Sequence, residues 1–434
     1  MQISLYNKTS SGTDPLSIVN NFKAITACRM CDNMNLVKVV DLGNQYLTGV
    51  FPKIAMKDSL TIGPLRLVKC HEGKDACGLL QLEHSYELDE MYGENYGYRS
   101  GLNSNMVKHL HGKIRAIRER ADLKSGDLVI DIGSNDGTSL AAYPEDLLLV
   151  GIDPTGEKFS GYYKPHINLV TDFFSAGLVT KRFPGKKARV VTSFSMLYDL
   201  EDPLAFARDI ASILDPEAGL WVFEQSYMPL MLERVSFDTV CHEHLEYYGL
   251  KQIVWLAERA GLKIIDVELN DVNGGSFSVV AALKDSLHKR AQQAVQNLLD
   301  KEDSLGLSTL RPYQDFSVKI DAACRELKTF IADARNNGKR VCGLGASTKG
   351  NVLLQYCGLT SKDIEVIGEL NEDKFGSLTP GSWIPIDDES KVLESKPDFL
   401  IVLPWHFKEF FLRNPAFKGQ RLVFPLPSLE VVSL

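Results

Sequence analysis

The sequence predicts an α/β protein of three parts: a small β-rich domain bearing cysteines, a central parallel-sheet domain, and a second, smaller parallel-sheet domain. Two observations carry this. Short apolar runs alternate with helical stretches in two separate series, the pattern of parallel strands joined by crossover helices. Ahead of the first series, short β-like runs sit between Gly, Pro and Asp punctuation and two cysteine pairs. A chain of 434 residues also exceeds one ordinary core.

In chain order, residues 1–24 read as a polar tail, with no apolar core and no small-residue cleavage site of a signal peptide. Residues 25–100 hold the β-like runs NLVKVVDLG, GPLRLVKC and GLLQLEHSY. Residues 101–283 open on the helical stretch MVKHLHGKIRAIRERADL. The runs DLVIDIGSNDG, LLLVGIDPT, HINLVTDFF, ARVVTSFSMLYDL and GLWVFEQSY follow. Residues 284–338 form a polar helical connector, with Phe316, Ile320, Ala323, Leu327 and Ile331 at helical spacing. Residues 339–434 carry the second series, KRVCGLGAS, IEVIGEL, PDFLIVLPW and QRLVFPLP.

Hydrophobic content of 44% and charged content of 24% are those of a soluble globular protein. A net charge of −8 without a basic run disfavours nucleic acid as a partner, and no apolar run is long enough to span a membrane. The eight cysteines do not form a dense secreted framework, so a reducing cytoplasm is expected.

Cys28-x2-Cys31 and Cys70-x6-Cys77 offer four thiolates, the ligand set of a closed, structural zinc site. The longer second spacer leaves His71 as an alternative ligand.

The segment VIDIGSNDGTSL reads as strand, tight turn and helix, with Gly133 and Gly137 in the turn. It is not GxGxxG, because Asn135 takes the middle glycine position; this weakens a dinucleotide reading. Asp153, ending the next strand, suits ribose hydroxyls. Asp172 and Phe173 suit an adenine amine and ring. Together they fit S-adenosylmethionine better than NAD, with Asp131, Asn135, Asp136 and Ser195 as further cofactor candidates. The second glycine turn, VCGLGASTKG, reads as an anion cradle with Lys349, as an NAD turn with Glu369 as ribose acid, or as a plain strand-to-helix turn.

VCHEHLEYYG leaves three readings open: a metal site, an acid–base centre or a polar loop. HExxH spacing is absent, and the loop follows VFEQSY, near a carboxyl sheet edge where ligands bind.

DIGSNDG, GIDPT, VFEQSY, HEHLEYY and NGGS, with the four cysteines, resemble the sugar C-methyltransferase family, which acts on nucleotide-linked 4-keto deoxysugars. GLGASTKGNVLLQYCGL, LNEDKFGSLTPGSWIPI and PDFLIVLPWHF extend the resemblance over residues 25–430. It implies a class I methyltransferase domain at the centre, a structural zinc and a small-molecule nucleotide-sugar partner, in a monomer or weak homo-oligomer. It also implies His244 as base beside Glu243, with Tyr96 and Tyr98 reaching the substrate from the N-terminal domain. Glu224, His242, Lys349, Trp405 and His406 are substrate-contact candidates. Cys241 stands where the family often has tyrosine, and Met196 where it often has histidine, so the sugar or the methylated carbon differs. O-methylation and a non-catalytic zinc and nucleotide module are the alternatives.

Overall fold

The computed structural model describes residues 22–54, 56, 60–87, 91 and 99–434; Tyr96, Tyr98 and most of the expected tail lie outside them. The end of that tail is structured. Strand β1 (Phe22–Ala24) pairs antiparallel with β5 (His84–Tyr86). Strands β2 (Leu36–Tyr46), β3 (Ile62–Cys70) and β4 (Leu80–Leu82) form an antiparallel sheet. Its fourth strand comes from far along the chain: β11 (Glu246–Tyr247) pairs with β4. The histidine loop is thereby stitched onto the cysteine domain.

The central sheet contains β6 (Leu128–Ile132), β7 (Leu148–Ile152), β8 (Asn168–Val170), β9 (Ala188–Phe194) and β10 (Leu220–Ser226), all parallel. Its edge is β12 (Leu262–Asn270) and the antiparallel β13 (Ser276–Leu283), giving the order 8-7-6-9-10-13-12. Both faces of β6 are buried, which explains an apolar run broken only by the buried Asp131. This is the class I methyltransferase arrangement, and its topological switch lies between β6 and β9.

Helices Gln292–Ser304 and Arg311–Asn336 cross to the last domain. The second buries Tyr313, Phe316, Ile320, Cys324, Leu327 and Ile331. Cys324 joins the stripe, four residues from Ile320, and the expected Ala323 is partly buried against the same core. Strands β14 (Val341–Leu344), β15 (Ile367–Glu369), β16 (Ile386–Asp388), β17 (Phe399–Val402), β18 (Arg421–Phe424) and β19 (Glu430–Ser433) form the second sheet. Its order is 16-15-14-17-18-19, parallel except for β19, so its switch point lies between β14 and β17. No helix among the described residues is long and apolar enough to cross a membrane.

Candidate active site

The four cysteine sulfurs lie within 4.8 Å of one another, with Cys28–Cys77 at 3.5 Å and Cys31–Cys70 at 3.6 Å. Thiolates at Zn–S distances of about 2.3 Å in a tetrahedron sit about 3.8 Å apart, so the set fits zinc, whereas a disulfide needs about 2.05 Å. Asn33 donates Nδ2 to Cys70 Sγ at 3.3 Å, a second contact that orients a ligand. His71 lies outside the cluster, against Glu72, so the alternative ligand is discarded.

At the first switch point, Gly133 and Gly137 both take positive φ, 69° and 74°. A side chain at Gly133 would meet Met196 Cγ at 3.2 Å, so Met196 caps this turn. Asp153 accepts from the Asn135 amide at 2.7 Å and from the Thr155 amide and hydroxyl at 2.7 and 2.6 Å. It shapes the glycine turn from its place just after β7. Asn135 and Asp136 hold the segment before helix Ser104–Ala121, accepting from the Ser100 and Gly101 amides. Asp172 accepts from the Phe173 amide at 2.8 Å, and Phe173 is 58% exposed. Ser195 has a positive φ of 54° and donates its amide to the Glu224 carbonyl. Asp131 instead accepts from Thr192 Oγ1 at 2.5 Å inside the sheet; burial raises its carboxyl to about 7.

Glu224 ends the central strand β10 among polar partners. Its carboxylate meets His109 Nε2 at 2.5 Å, Lys113 Nζ at 3.2 Å and Asn270 Nδ2 at 2.8 Å. Burial alone would raise Glu224, but the His109 and Lys113 contacts more than offset it and hold it low. His109 and Lys113 lie four apart on one helix face, a signal the sequence offered.

His242 and His244 face different surroundings. His242 is 0% exposed, edge-on to Tyr86 with ring centres 4.7 Å apart, and burial lowers its pKa to about 3. It packs the methyltransferase loop onto the cysteine domain. His244 stacks 4.3 Å from Tyr198, and its Nδ1 lies 3.0 Å from the Thr239 carbonyl. A carbonyl only accepts, so Nδ1 carries the proton and Nε2 keeps the lone pair. Burial first, then the positive charge of Lys349, lowers its pKa to about 3.

The last domain closes this loop. Helix Thr348–Tyr356, capped by Ser347, docks on residues 46–49: Asn351 donates to the Thr48 carbonyl at 2.7 Å, and Gln355 accepts from the Tyr46 amide at 2.8 Å. A β-carbon at Gly49 would lie 2.2 Å from Glu243 Oε1 and 3.8 Å from Thr348 Oγ1. Three domains therefore meet at Glu243. Burial raises its carboxyl, against the pull of contacts from Cys241 and the Gly49 backbone. Cys241 is itself buried, and its thiol is pushed well up.

Lys349 donates Nζ to the Asn273 carbonyl of the NGGS turn at 2.7 Å. Burial lowers the Lys349 ammonium while the nearby charge of buried Asp238 pulls the other way, and Asp238 accepts from Trp405 Nε1 at 2.8 Å. Trp405 thus supports the Lys349 site from behind. His406 packs over Gly274, held neutral first by burial and then by Lys349, with Nδ1 unpartnered. Lys349 and His406 flank the second switch point, where Gly345 has a φ of 76° against Pro404. Glu369, the acid of an NAD reading, is occupied by the Leu370 and Asn371 amides.

Family models match in the same three parts: a zinc binding domain over residues 28–92, a methyltransferase domain over 106–267 and a C-methyltransferase C-terminal domain over 271–427. The C-methyltransferase NovU of Streptomyces niveus is 29% identical over 426 residues, covering 95% of this chain and 98% of NovU. Among solved structures, an S-adenosylmethionine-dependent methyltransferase from Clostridium acetobutylicum is 13% identical. It covers 41% of this chain and 92% of its own, with a TM-score of 0.32. Magnesium protoporphyrin IX methyltransferase from Synechocystis, with bound SAM, is 15% identical over 41% of this chain and 77% of its own, with a TM-score of 0.28. With all three domain models in order and a C-methyltransferase matched almost end to end, the chain belongs to the zinc-bearing, S-adenosylmethionine-dependent C-methyltransferases.

Proposed function

We propose that this enzyme methylates a carbon beside the ketone of a nucleotide-linked keto deoxysugar, with His244 as the base. The observation that carries the reading is the fixed tautomer of His244, whose Nδ1–H is committed to Thr239 while Nε2 keeps its lone pair beside a buried cation. A carbon next to a ketone becomes nucleophilic only as an enolate, so the reaction needs a base and a group that stabilises negative oxygen. S-adenosylmethionine supplies the electrophilic methyl group.

Each residue has a part in this scheme. Nε2 of His244 takes the proton from the carbon, and the imidazolium so formed is steadied by the Thr239 carbonyl. Lys349 faces the keto oxygen as it becomes an enolate, held in place by Asp238 and Asn273. This role gains weight here because Cys241 is a weak donor and Met196 a thioether. Glu243, at the three-domain junction, lines the sugar's place. His406 lies further along the last domain's crevice, toward the nucleotide. Gly133, Gly137, Asp153, Asp172 and Phe173 hold the cofactor. Asp131, Asn135, Asp136 and Ser195 shape the turns beneath it.

Incubating the enzyme with a panel of nucleotide-linked keto sugars in D2O, with S-adenosylhomocysteine in place of the methyl donor, tests this directly. The reading expects deuteron uptake beside the ketone, and a mass gain of one methyl group when the donor is added. Methyl transfer from a substrate that shows no exchange would indicate O-methylation instead.

A further inference from the structure

Arg29 lies between two zinc ligands, Cys28 and Cys31, yet its side chain points away from them and is only 2% exposed. Every arm of this buried guanidinium is engaged. Nη1 donates to the Leu82 carbonyl at 2.6 Å, Nη2 to Ser85 Oγ at 2.9 Å, and Nε to Glu201 at 3.1 Å. Its backbone amide donates to Gln81 Oε1 at 3.0 Å. Glu246, also buried, has a carboxylate oxygen 4.0 Å from Nε.

These contacts grip both walls of His244. On one wall, Gln81 and Leu82 belong to β4, the strand that pairs with β11. The Leu82 amide donates to the carbonyl of Leu245, the residue that follows His244, at 2.8 Å. On the other wall, Glu201 lies three residues beyond Tyr198, whose ring stacks on His244. A two-residue strand such as β11 is too short to fix its own register, and a one-residue slip turns every side chain to the opposite face. The fork of an arginine can hold a carbonyl, a hydroxyl and a carboxylate in one plane, which lysine cannot do.

We propose that Arg29 is a positioning residue for His244: anchored between two zinc ligands, it clamps β4 and the Tyr198–Glu201 turn together around the imidazole. The zinc knuckle then does more than stabilise its own domain, because its loop sets where the base stands. The proposal rests on the functional reading only in calling His244 the base.

The test therefore reads the ring itself. In full-length protein carrying 13C-labelled histidine rings, the His244 resonance is identified by its loss in His244→Gln. Its cross-relaxation to the Tyr198 ring is then recorded in wild type and Arg29→Gln, alongside zinc content and S-adenosylhomocysteine affinity. The clamp predicts that Arg29→Gln keeps one zinc per chain and binds S-adenosylhomocysteine within about twofold of wild type. The His244–Tyr198 cross-peak falls by half or more, while the His109 and His166 signals stay in place. An unchanged His244 signal and cross-peak in a folded Arg29→Gln protein overturns the proposal. So does a shift of all three histidines together, which is general loosening. Should Arg29→Gln not fold, Glu201→Ala removes the acceptor of one arm at a half-exposed partner; it must weaken the same cross-peak, and an unchanged one rejects the clamp. If His244 is not the base, the ring still moves, so the two ideas fail separately.

Discussion

Gly49→Ala probes the three-domain junction with a single carbon. The φ of Gly49 is not in the left-handed region, so the backbone accepts alanine. The added β-carbon would stand 2.2 Å from Glu243 Oε1, where ordinary contact begins near 3.4 Å. Glu243 must withdraw by about 1.2 Å, the difference of those distances, or the Thr48–Gly49 loop must lift off helix Thr348–Tyr356. Withdrawal drives the side chain off its rotamer, at about 0.5–1.5 kcal/mol. It also strips hydrogen bonds from a buried carboxyl, at about 1–3 kcal/mol. A stability loss of about 1.5–4.5 kcal/mol follows, readable by denaturant unfolding. A 1 Å misplacement in an active site costs on the order of 10²-fold in turnover. Gly112→Ala, on an open helix face with nothing within 4 Å, is the control and should match wild type or exceed it slightly. Wild-type stability and turnover in Gly49→Ala would refute the placement of Glu243 at this junction.

Three further predictions follow from the geometry. Purified protein should carry one zinc per chain, and Cys70→Ser should lose it along with the fold of residues 25–87; full zinc retention would point to another ligand set. Asp153→Asn should weaken S-adenosylmethionine binding by about 1.5–3 kcal/mol in calorimetry, through lost charged hydrogen bonds; unchanged affinity would mean another group holds the ribose. Acid stability follows from the buried histidines. His242 and His244 are lowered from 6.5 to about 3, and His406 well below its usual value, all three chiefly by burial. The folded protein holds them neutral while the unfolded chain protonates them, so their contribution is present above pH 6.5 and lost as pH falls. Unfolding free energy should drop by about 1.4 kcal/mol per pH unit per histidine below that point. A pH-independent stability from 6.5 to 4.5 would contradict their burial.

The strand series made both parallel sheets legible, because strands buried on two faces leave unbroken apolar runs. The cysteine spacing gave the zinc site, since four soft ligands in one β-rich segment have little else to do. Chain pairing at long range was not legible. Glu246–Tyr247 is too short to show a period, so nothing announced that the histidine loop becomes a strand of the cysteine domain. The same long-range pairing seats His242 against Tyr86. The partners of Glu224, His109 and Lys113, arrive on a helix more than a hundred residues earlier. The indole N–H of Trp405 answers a buried acid, a need visible only once Asp238 is seen to be enclosed.

The central claim is that His244 removes a proton from carbon, and solvent exchange measures that step alone. With a keto sugar nucleotide that the wild-type enzyme deuterates, His244→Gln should slow deuteron uptake by about 10²–10⁴-fold, the usual contribution of a positioned base. Its S-adenosylmethionine affinity should stay within about twofold of wild type, because the base is assigned to the sugar and not to the adenosine. His242→Gln should leave exchange far less affected in any variant that folds. Exchange at the wild-type rate in His244→Gln would contradict the account, and exchange lost equally in both variants would return the proton to some other group.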